Sequence, residues 1–276
     1  MRVPLMAVSK LFFFVLFGFF WSRLSFADSV TDLAKASQNP VEKLVSVPFN
    51  NNFNHGYGPN RQTQYILDVK PVVPFTLNAD WNLIVRTIVP LIHQPNLLPA
   101  RPYLTGLGDL NPTLFLTPAK PGPLIWGVGP ALVLPTATHS QLGQGKYSAG
   151  PSFVVLTMPG QWVVGFLMSN VWSFGGQSNR PNVNQYSLQY FINYNFSHGW
   201  FVTTQPIVTA DWQADSANRW TVPLGAGVGR VFEVGKQPLN VSLQAYDNVK
   251  TPRQFGPNWQ CQLNVTLLFP EASAKS

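Results

Sequence analysis

The sequence is poor in charge, has a single cysteine and has no long apolar run after residue 27. Charged residues make up 11% of its 276 residues, against about 25% in an ordinary soluble domain. The one cysteine, Cys261, excludes a disulfide framework and a cysteine-based zinc site. No run of about 18 apolar residues follows residue 27, which excludes a transmembrane helix there. Aromatic residues, at 13%, exclude disorder, and 25 prolines with 21 glycines argue against a mostly helical fold.

The first 27 residues have the layout of a secretory signal peptide. Arg2 and Lys10 precede an apolar run over residues 11–21, and Ser25-Phe26-Ala27 places small residues before a cut at Asp28. The run is shorter than the roughly 20 residues that span a bilayer as a helix. Cleavage would remove three of the 18 basic residues, leaving 15 against 11 acidic ones and a net charge of +4. We therefore expect an exported, weakly basic protein.

From Val45 onward the chain alternates apolar and polar residues in segments of about ten. Since successive side chains of a strand point to opposite faces, each segment has one apolar and one polar face. The segments lie near residues 45–54, 63–76, 81–92, 107–117, 124–135, 148–157, 162–174, 184–196, 200–212, 219–231, 239–248 and 259–269. Tight and longer connections alternate between them. This pattern predicts an all-β fold: a transmembrane, antiparallel, up-and-down β-barrel of about twelve strands, with ten or fourteen as alternatives, and both chain ends in the periplasm.

Tryptophans and charges favour this barrel over a soluble β-sandwich. Eight tryptophans lie at strand ends on the apolar face, as the interfacial girdle of a membrane barrel requires: Trp81, Trp126, Trp162, Trp172, Trp200, Trp212, Trp220 and Trp259. On that face the only charged residues are Arg230 and Asp247, both at strand ends. A charge at the lipid midplane costs about 2–4 kcal/mol, so the asymmetry indicates a bilayer.

Several prolines fall inside the predicted strands, where each removes one donor from the hydrogen-bond ladder. Among them are Pro71, Pro112, Pro130, Pro151, Pro206 and Pro223. Because every strand of a closed barrel is paired on both sides, we expect bulges or locally open pairs at several of them.

The polar face of the strands should line the lumen. Its charged members inside strands are candidates for a constriction: Asp68, Lys70, Arg86 and Asp109. Its uncharged polar members include Asn50, Asn52, Gln189, Asn193, Gln260, Gln262 and Asn264. A turn near residue 78 would place Lys70 almost opposite Arg86. The cluster is then either a charged constriction that favours anionic or dipolar solutes, or an internal salt-bridge network that fills a narrow barrel.

Glycines also occupy inward positions on two strands: Gly127 and Gly129, then Gly225, Gly227 and Gly229. They would widen the bore, let a plug approach the backbone, or accommodate strong curvature of the wall.

No catalytic or metal-binding motif occurs, and the sequence predicts no catalytic residues, no metal site, no cofactor and no enzyme activity. The motifs G-x-S-x-G, H-E-x-x-H and the P-loop are absent. The histidines lie in or beside loops and turns, and His139-Ser140 is a lone adjacent pair whose side chains rarely meet as base and nucleophile.

The chain is expected to divide into a signal peptide (1–27), a polar lead that forms a short helix or a plug (28–44), an outer-membrane barrel (45–270) and a short tail (271–276). The long loops are basic through Arg61, Arg101, Lys146, Arg180, Arg219, Lys250 and Arg253. Such loops suit a lipopolysaccharide surface rich in phosphate. The expected partners are outer-membrane lipid and lipopolysaccharide, a small-molecule solute and the barrel-assembly machinery, without nucleic acid; the oligomeric state stays open.

Several segments resemble one bacterial family. The segments VPFNNNFNHGYGPN, ADWNLIVRTIVPLI, GLGDLNPTLFLTP, LIWGVGPALVLPTAT and NVTLLFP are similar to the outer-membrane β-barrels labelled "MetA-pathway of phenol degradation", also described as transporters or as neuromedin U-like proteins. The resemblance covers most of residues 38–270. It implies an outer-membrane barrel that passes small, aromatic or hydrophobic compounds, and it supplies no catalytic residues.

Three functions are compatible with these observations. The first is a narrow channel for uptake or efflux of small solutes. The second is a closed structural or surface-binding barrel whose basic loops contact lipopolysaccharide. The third is a barrel enzyme that acts on lipids, for which no catalytic motif is found. All three place the protein in the outer membrane of a Gram-negative bacterium.

Overall fold

The computed structural model describes residues 27–95, 103–253 and 255–270. The predicted signal peptide up to residue 26, Arg101 and the tail 271–276 lie outside the described residues. One helix, α1 (Ala27–Ser37), precedes fifteen strands and a short 3-10 turn at Ser197–Gly199. The strands are β1 (Val45–Tyr57), β2 (Gln62–Val69), β3 (Val72–Thr76), β4 (Trp81–Gln94), β5 (Leu104–Leu107), β6 (Asn111–Pro118), β7 (Leu124–Val133), β8 (Lys146–Thr157), β9 (Trp162–Gly176), β10 (Asn184–Asn195), β11 (Trp200–Thr204), β12 (Ile207–Asp211), β13 (Trp220–Val234), β14 (Gln237–Lys250) and β15 (Trp259–Phe269). No described helix has the length and apolar character needed to cross a membrane.

The fifteen strands form the wall of a closed antiparallel barrel with twelve barrel strands. Three barrel strands consist of two segments each, β2 with β3, β5 with β6 and β11 with β12. The wall closes where β1 pairs with β15, from Val45 opposite Phe269 to His55 opposite Trp259. The predicted fold and strand number are therefore confirmed.

Prolines explain two of the three breaks in barrel strands. Pro71 separates β2 from β3 and Pro206 separates β11 from β12. Pro223 lies at a register shift in the β13–β14 pair. Pro130 and Pro151 face each other across β7 and β8, and β7 pairs with β6 at only two described positions. Because proline lacks the N–H that the ladder needs, the sheet is interrupted or thinned at these positions. Pro112, in contrast, pairs with Thr87 in an unbroken register, and no proline lies between β5 and β6.

The outer face is apolar and carries two rings of tryptophan. Short turns and both ends of the described chain, residues 27 and 270, lie at one end of the barrel, here called the turn end; the longer connections lie at the other, the loop end. Trp81, Trp126, Trp162 and Trp200 follow the short turns. Trp172, Trp212, Trp220 and Trp259 lie beside the loops. Apolar side chains between the rings, such as Leu243 (55% exposed) and Val228 (54% exposed), point away from the barrel.

The interior is less polar than strict alternation predicts. Near the turn end, inward side chains form an apolar cluster of Ile84, Phe115, Ile125, Val154, Leu156, Val163 and Phe191. Val41, which precedes the first strand, packs into the same cluster. Several of these positions lie in strands where apolar residues are adjacent, and Phe191 interrupts an otherwise polar inward face of β10, so the period of two gave no sign of an apolar interior.

Candidate functional site: the barrel lumen

The segment before β1 lies against the turn end of the barrel. Ala34 of α1 and Leu44 are buried against Phe201, Val231 and Leu268 of the wall. Lys35 Nζ donates a hydrogen bond to the Gly160 carbonyl oxygen at 2.8 Å. The helix therefore packs on the barrel wall through its apolar face and is fixed by a polar contact at a turn.

Residues 38–44 continue from α1 into the barrel. Gln38 and Asn195 exchange two amide hydrogen bonds of 2.9 and 3.0 Å, and Asn195 is fully buried. Gly127, on the inward face of β7, has no side chain, and a Cβ built there would lie 3.1 Å from Val41 Cγ1. Gly127 thus lets this segment approach the wall, whereas Gly129 lets β7 approach the Leu114 carbonyl of β6. We call residues 27–44 the N-terminal segment.

Asp68, Lys70 and Arg86 come together on the inner wall. Val72 pairs with Arg86 across β3 and β4, so Lys70, two residues earlier on the same face, is a diagonal neighbour of Arg86. Lys70 is buried (6% exposed), and its Nζ lies 3.3 Å from Asp68 Oδ2. Asn52 Nδ2 donates to the same carboxylate oxygen at 3.1 Å. The carboxylate of Asp68 is thereby paired.

Arg86 differs from its neighbours in having no close partner. Within residues 27–95, 103–253 and 255–270, its guanidinium makes no direct hydrogen bond and has no carboxylate within 4.0 Å. The side chain is half-buried and borders both lumen cavities. Since Asp68 balances only one of the two cations, the cluster retains one net positive charge in the middle of the lumen.

Asp109 lies apart from this cluster. Its carboxylate accepts hydrogen bonds from the backbone amides of Ala137 (3.2 Å) and Gln144 (2.6 Å). Asp109 therefore holds the connection between β7 and β8 in place at the loop end. The sequence grouped it with Lys70 and Arg86 because it shares their face, but the break between β5 and β6 places it nearer the loops.

The uncharged lining residues occupy different levels of the lumen. Asn50, Asn193 and Asn264 line the cavity nearer the turn end, and Gln189 borders both cavities. Gln260 and Gln262 form a ladder on β15, with 3.4 Å hydrogen bonds that continue from Gln262 to Gln260 and on to Asn248. Asn52 is part of the charged cluster.

Two cavities meet at the charged cluster. The lower cavity, nearer the turn end, has a volume of about 130 Å³ and is lined by residues 36–40, 42 and 44 of the N-terminal segment together with the wall. The upper cavity, nearer the loops, has a volume of about 450 Å³. Lys70, Arg86 and Gln189 border both. These three polar side chains thus lie where the two cavities adjoin.

A closed barrel with an apolar outer band, two tryptophan girdles and a hollow polar centre is a transmembrane β-barrel of the bacterial outer membrane. The turn end is then the periplasmic end and the loop end faces outward. No protein-family model and no curated protein matches the sequence. The chain is similar in fold to a solved outer membrane channel of Pseudomonas putida F1, with a TM-score of 0.62 and 16% identity over 82% of this chain and 94% of that one. The resemblance stated above is confirmed for the fold.

The prediction of no enzyme activity, made from the absence of catalytic motifs, is contradicted by the range of solved barrels that match. Other solved barrels that match include the outer membrane phospholipase A of Escherichia coli, with a TM-score of 0.43 and 13% identity over 88% of this chain and 98% of that one. LpxR from Salmonella typhimurium also matches, with a TM-score of 0.39 and 10% identity over 81% of this chain and all of that one. One fold can host unrelated functions, so a β-barrel by itself neither assigns nor excludes enzyme activity.

Sequence reasoning missed the side chains that hold the N-terminal segment. Asn195 and Asn240 are inward polar residues of two distant strands, and each bonds to this segment, Asn240 Nδ2 to Ser37 Oγ at 2.8 Å. The only available signal was inward glycine at Gly127. Among the described residues, no three histidine, cysteine or acidic side chains gather as a metal site.

Proposed function

We propose that this protein is a narrow outer-membrane channel for small solutes. The observation that carries the proposal is the pair of cavities that meet at Arg86, Lys70 and Gln189 inside a closed wall. A filled barrel would have no such volume. The uncompensated charge at the junction favours anions over cations, because a cation passing from one cavity to the other would meet the net positive charge.

The N-terminal segment closes the periplasmic end of this path in the proposed resting state. Its residues line the lower cavity, and its contacts with the wall are a few hydrogen bonds and small apolar clusters. Such contacts can be broken without unfolding the barrel, whose strands are held by many more ladder hydrogen bonds.

Single-channel conductance of the refolded mature protein in a planar bilayer tests the proposal. Discrete conductance steps with a preference for anions are expected. The double change Lys70→Glu and Arg86→Glu should reverse or abolish that preference, whereas Arg230→Glu, on the outer face beside Trp200, should leave it unchanged. A conducting double variant with unaltered selectivity would remove the cluster from the pathway, and a folded barrel that never conducts would refute the channel.

A second candidate function, contact with lipopolysaccharide, is favoured by a basic group at the loop end. Exposed Lys250 and Arg253 lie in and beside the connection between β14 and β15. Arg61, in the turn between β1 and β2, donates a hydrogen bond to Asn258 of the same connection. Salt-sensitive binding of lipid A phosphates, lost on changing these three residues to glutamine, would support this function. Equal binding by the triple variant would contradict it.

A further inference from the structure

We infer that the upper cavity binds small organic monocarboxylates that carry an apolar body, with the carboxylate on Arg86. The inference names the solute class for the proposed channel and rests on that proposal for its transport role. The site itself requires only the cavity and its lining residues.

The charge of the site defines the head group. Arg86 presents five N–H donors in a planar fork that matches a carboxylate, and none of them is used by the described residues. Arg219, the other guanidinium on the cavity, is already engaged: its Nη2 donates to the Ala214 carbonyl at 3.2 Å and its guanidinium carbon lies 5.9 Å from the Trp212 ring centroid. A single carboxylate would therefore be held at Arg86, beside Lys70, and would neutralise the cluster.

The apolar part of the cavity lining defines the body of the ligand. Apolar side chains line much of it: Ile88, Ala131, Val133, Leu167, Val171 and Ile207. Ile207 pairs with inward-facing Gln189 across β10 and β12, so its side chain also points into the barrel. Because this side chain is nevertheless 37% exposed, it borders open lumen. Hydrophilic pores have no need of such a wall, whereas burial of a ring or short chain against it removes apolar surface from water.

Size and charge exclude the other solute classes. The volume of about 450 Å³ is three times the roughly 150 Å³ apolar cavity that accepts benzene, so a single ring with its head group fits. Inorganic anions would leave the apolar wall uncovered. A neutral aromatic would leave Arg86 without its partner, and an organic cation would be repelled by it.

Calorimetric titration of the mature protein in lipid nanodiscs tests the site with three ligands that share a phenyl ring and differ in the charge of the head group: benzoate, benzamide and benzylammonium. Benzoate should bind about 10- to 100-fold more tightly than benzamide, since hydrogen bonds to a charged group contribute that difference. Benzylammonium should not bind. Equal affinity for benzoate and benzamide would overturn the inference.

Two variants separate head-group from body recognition. Arg86→Gln should weaken benzoate binding by about 10- to 100-fold and leave benzamide unaffected. Ile207→Ser should weaken both ligands by about three- to tenfold. Arg230→Gln, a loss of the same charge outside the lumen, serves as the control. An Arg86→Gln protein that binds benzoate like the unaltered protein would refute the site.

Conductance distinguishes this inference from the proposed function. Benzoate binding by a barrel that never conducts would support the site and refute the channel. If the protein conducts anions but benzoate neither passes through it nor blocks the current, and no heat of binding is measured, the channel proposal stands and the site is refuted.

Discussion

Replacing Gln38 by alanine tests whether its amide pair with Asn195 holds the N-terminal segment in the barrel. The change removes both hydrogen bonds of the pair, 2.9 and 3.0 Å long. Asn195 keeps its hydrogen bond to the Gln161 carbonyl at 3.1 Å, so the barrel wall should stay intact while the segment loses an anchor.

The magnitude follows from the two lost bonds. A hydrogen bond between uncharged groups contributes about 0.5–1.5 kcal/mol net, so docking of the segment should weaken by about 1–3 kcal/mol. The population of the undocked segment should then rise by about 5- to 150-fold. Remaining contacts, among them Lys35 to Gly160 and Asn240 to Ser37, should keep the docked form predominant.

Amide hydrogen exchange measured by mass spectrometry provides the assay. Residues 38–44 should exchange faster in Gln38→Ala by the same factor, with no change in the barrel strands. Gln213→Ala, in an exposed loop at the opposite end, is the matched control. In a planar bilayer, the Gln38→Ala protein should also conduct for a larger fraction of the time, because the N-terminal segment closes the periplasmic end less often. Unchanged exchange over residues 38–44 would show that the amide pair does not hold the segment and would refute the reasoning.

Three further changes test the wall and a loop. Leu243→Arg, at the middle of the lipid face, should lower the free energy of unfolding of the barrel in a bilayer by about 2–4 kcal/mol, measured by denaturant titration. Val249→Arg, near the headgroups, should lower it by only about 0–1 kcal/mol. Equal losses for the two variants would contradict the assigned depths. Gly129→Ala should lower stability by about 1–3 kcal/mol because its Cβ would lie 1.8 Å from a carbonyl oxygen of β6, while Gly175→Ala meets nothing within 4 Å and should be neutral. Hydrogen bonds from a side-chain amide and a backbone amide of its own loop lower the pKa of Asp215. The stabilisation of the loop by these bonds is present above the pKa of Asp215 in the unfolded chain and should be lost as the pH falls through its pKa in the folded protein. Amide hydrogen exchange of the loop, compared between the unaltered protein and Asp215→Asn, measures this loss.

Alternation alone was sufficient to predict the wall. The pairs Asn54 with Gln260 and Val45 with Phe269 lie within segments assigned to strands from their period of two. The tryptophans could be placed because each lies at a segment end on the apolar face. Both signals are local: a residue's own position in its strand fixes its face.

The contents of the lumen could not be obtained in that way. Inward Phe115 and Val154 form an apolar cluster with Val41, although the inward face was expected to be polar. Asp109 shares a face with Arg86 but lies beyond a break in its barrel strand, and only the pairing shows that its carboxylate binds loop amides. Both facts depend on neighbours far along the chain.

The sequence by itself determined the membrane, the barrel and its orientation, because lipid imposes a residue-by-residue rule on every strand that crosses it. Only the tertiary structure decided which inward residues meet. It left Arg86 without a close partner between two cavities, paired Asp68 with Lys70 and Asn52, and brought Gln38 to Asn195, 157 residues away. Those contacts follow from register, strand breaks and the path of the N-terminal segment, which no short pattern in the chain encodes.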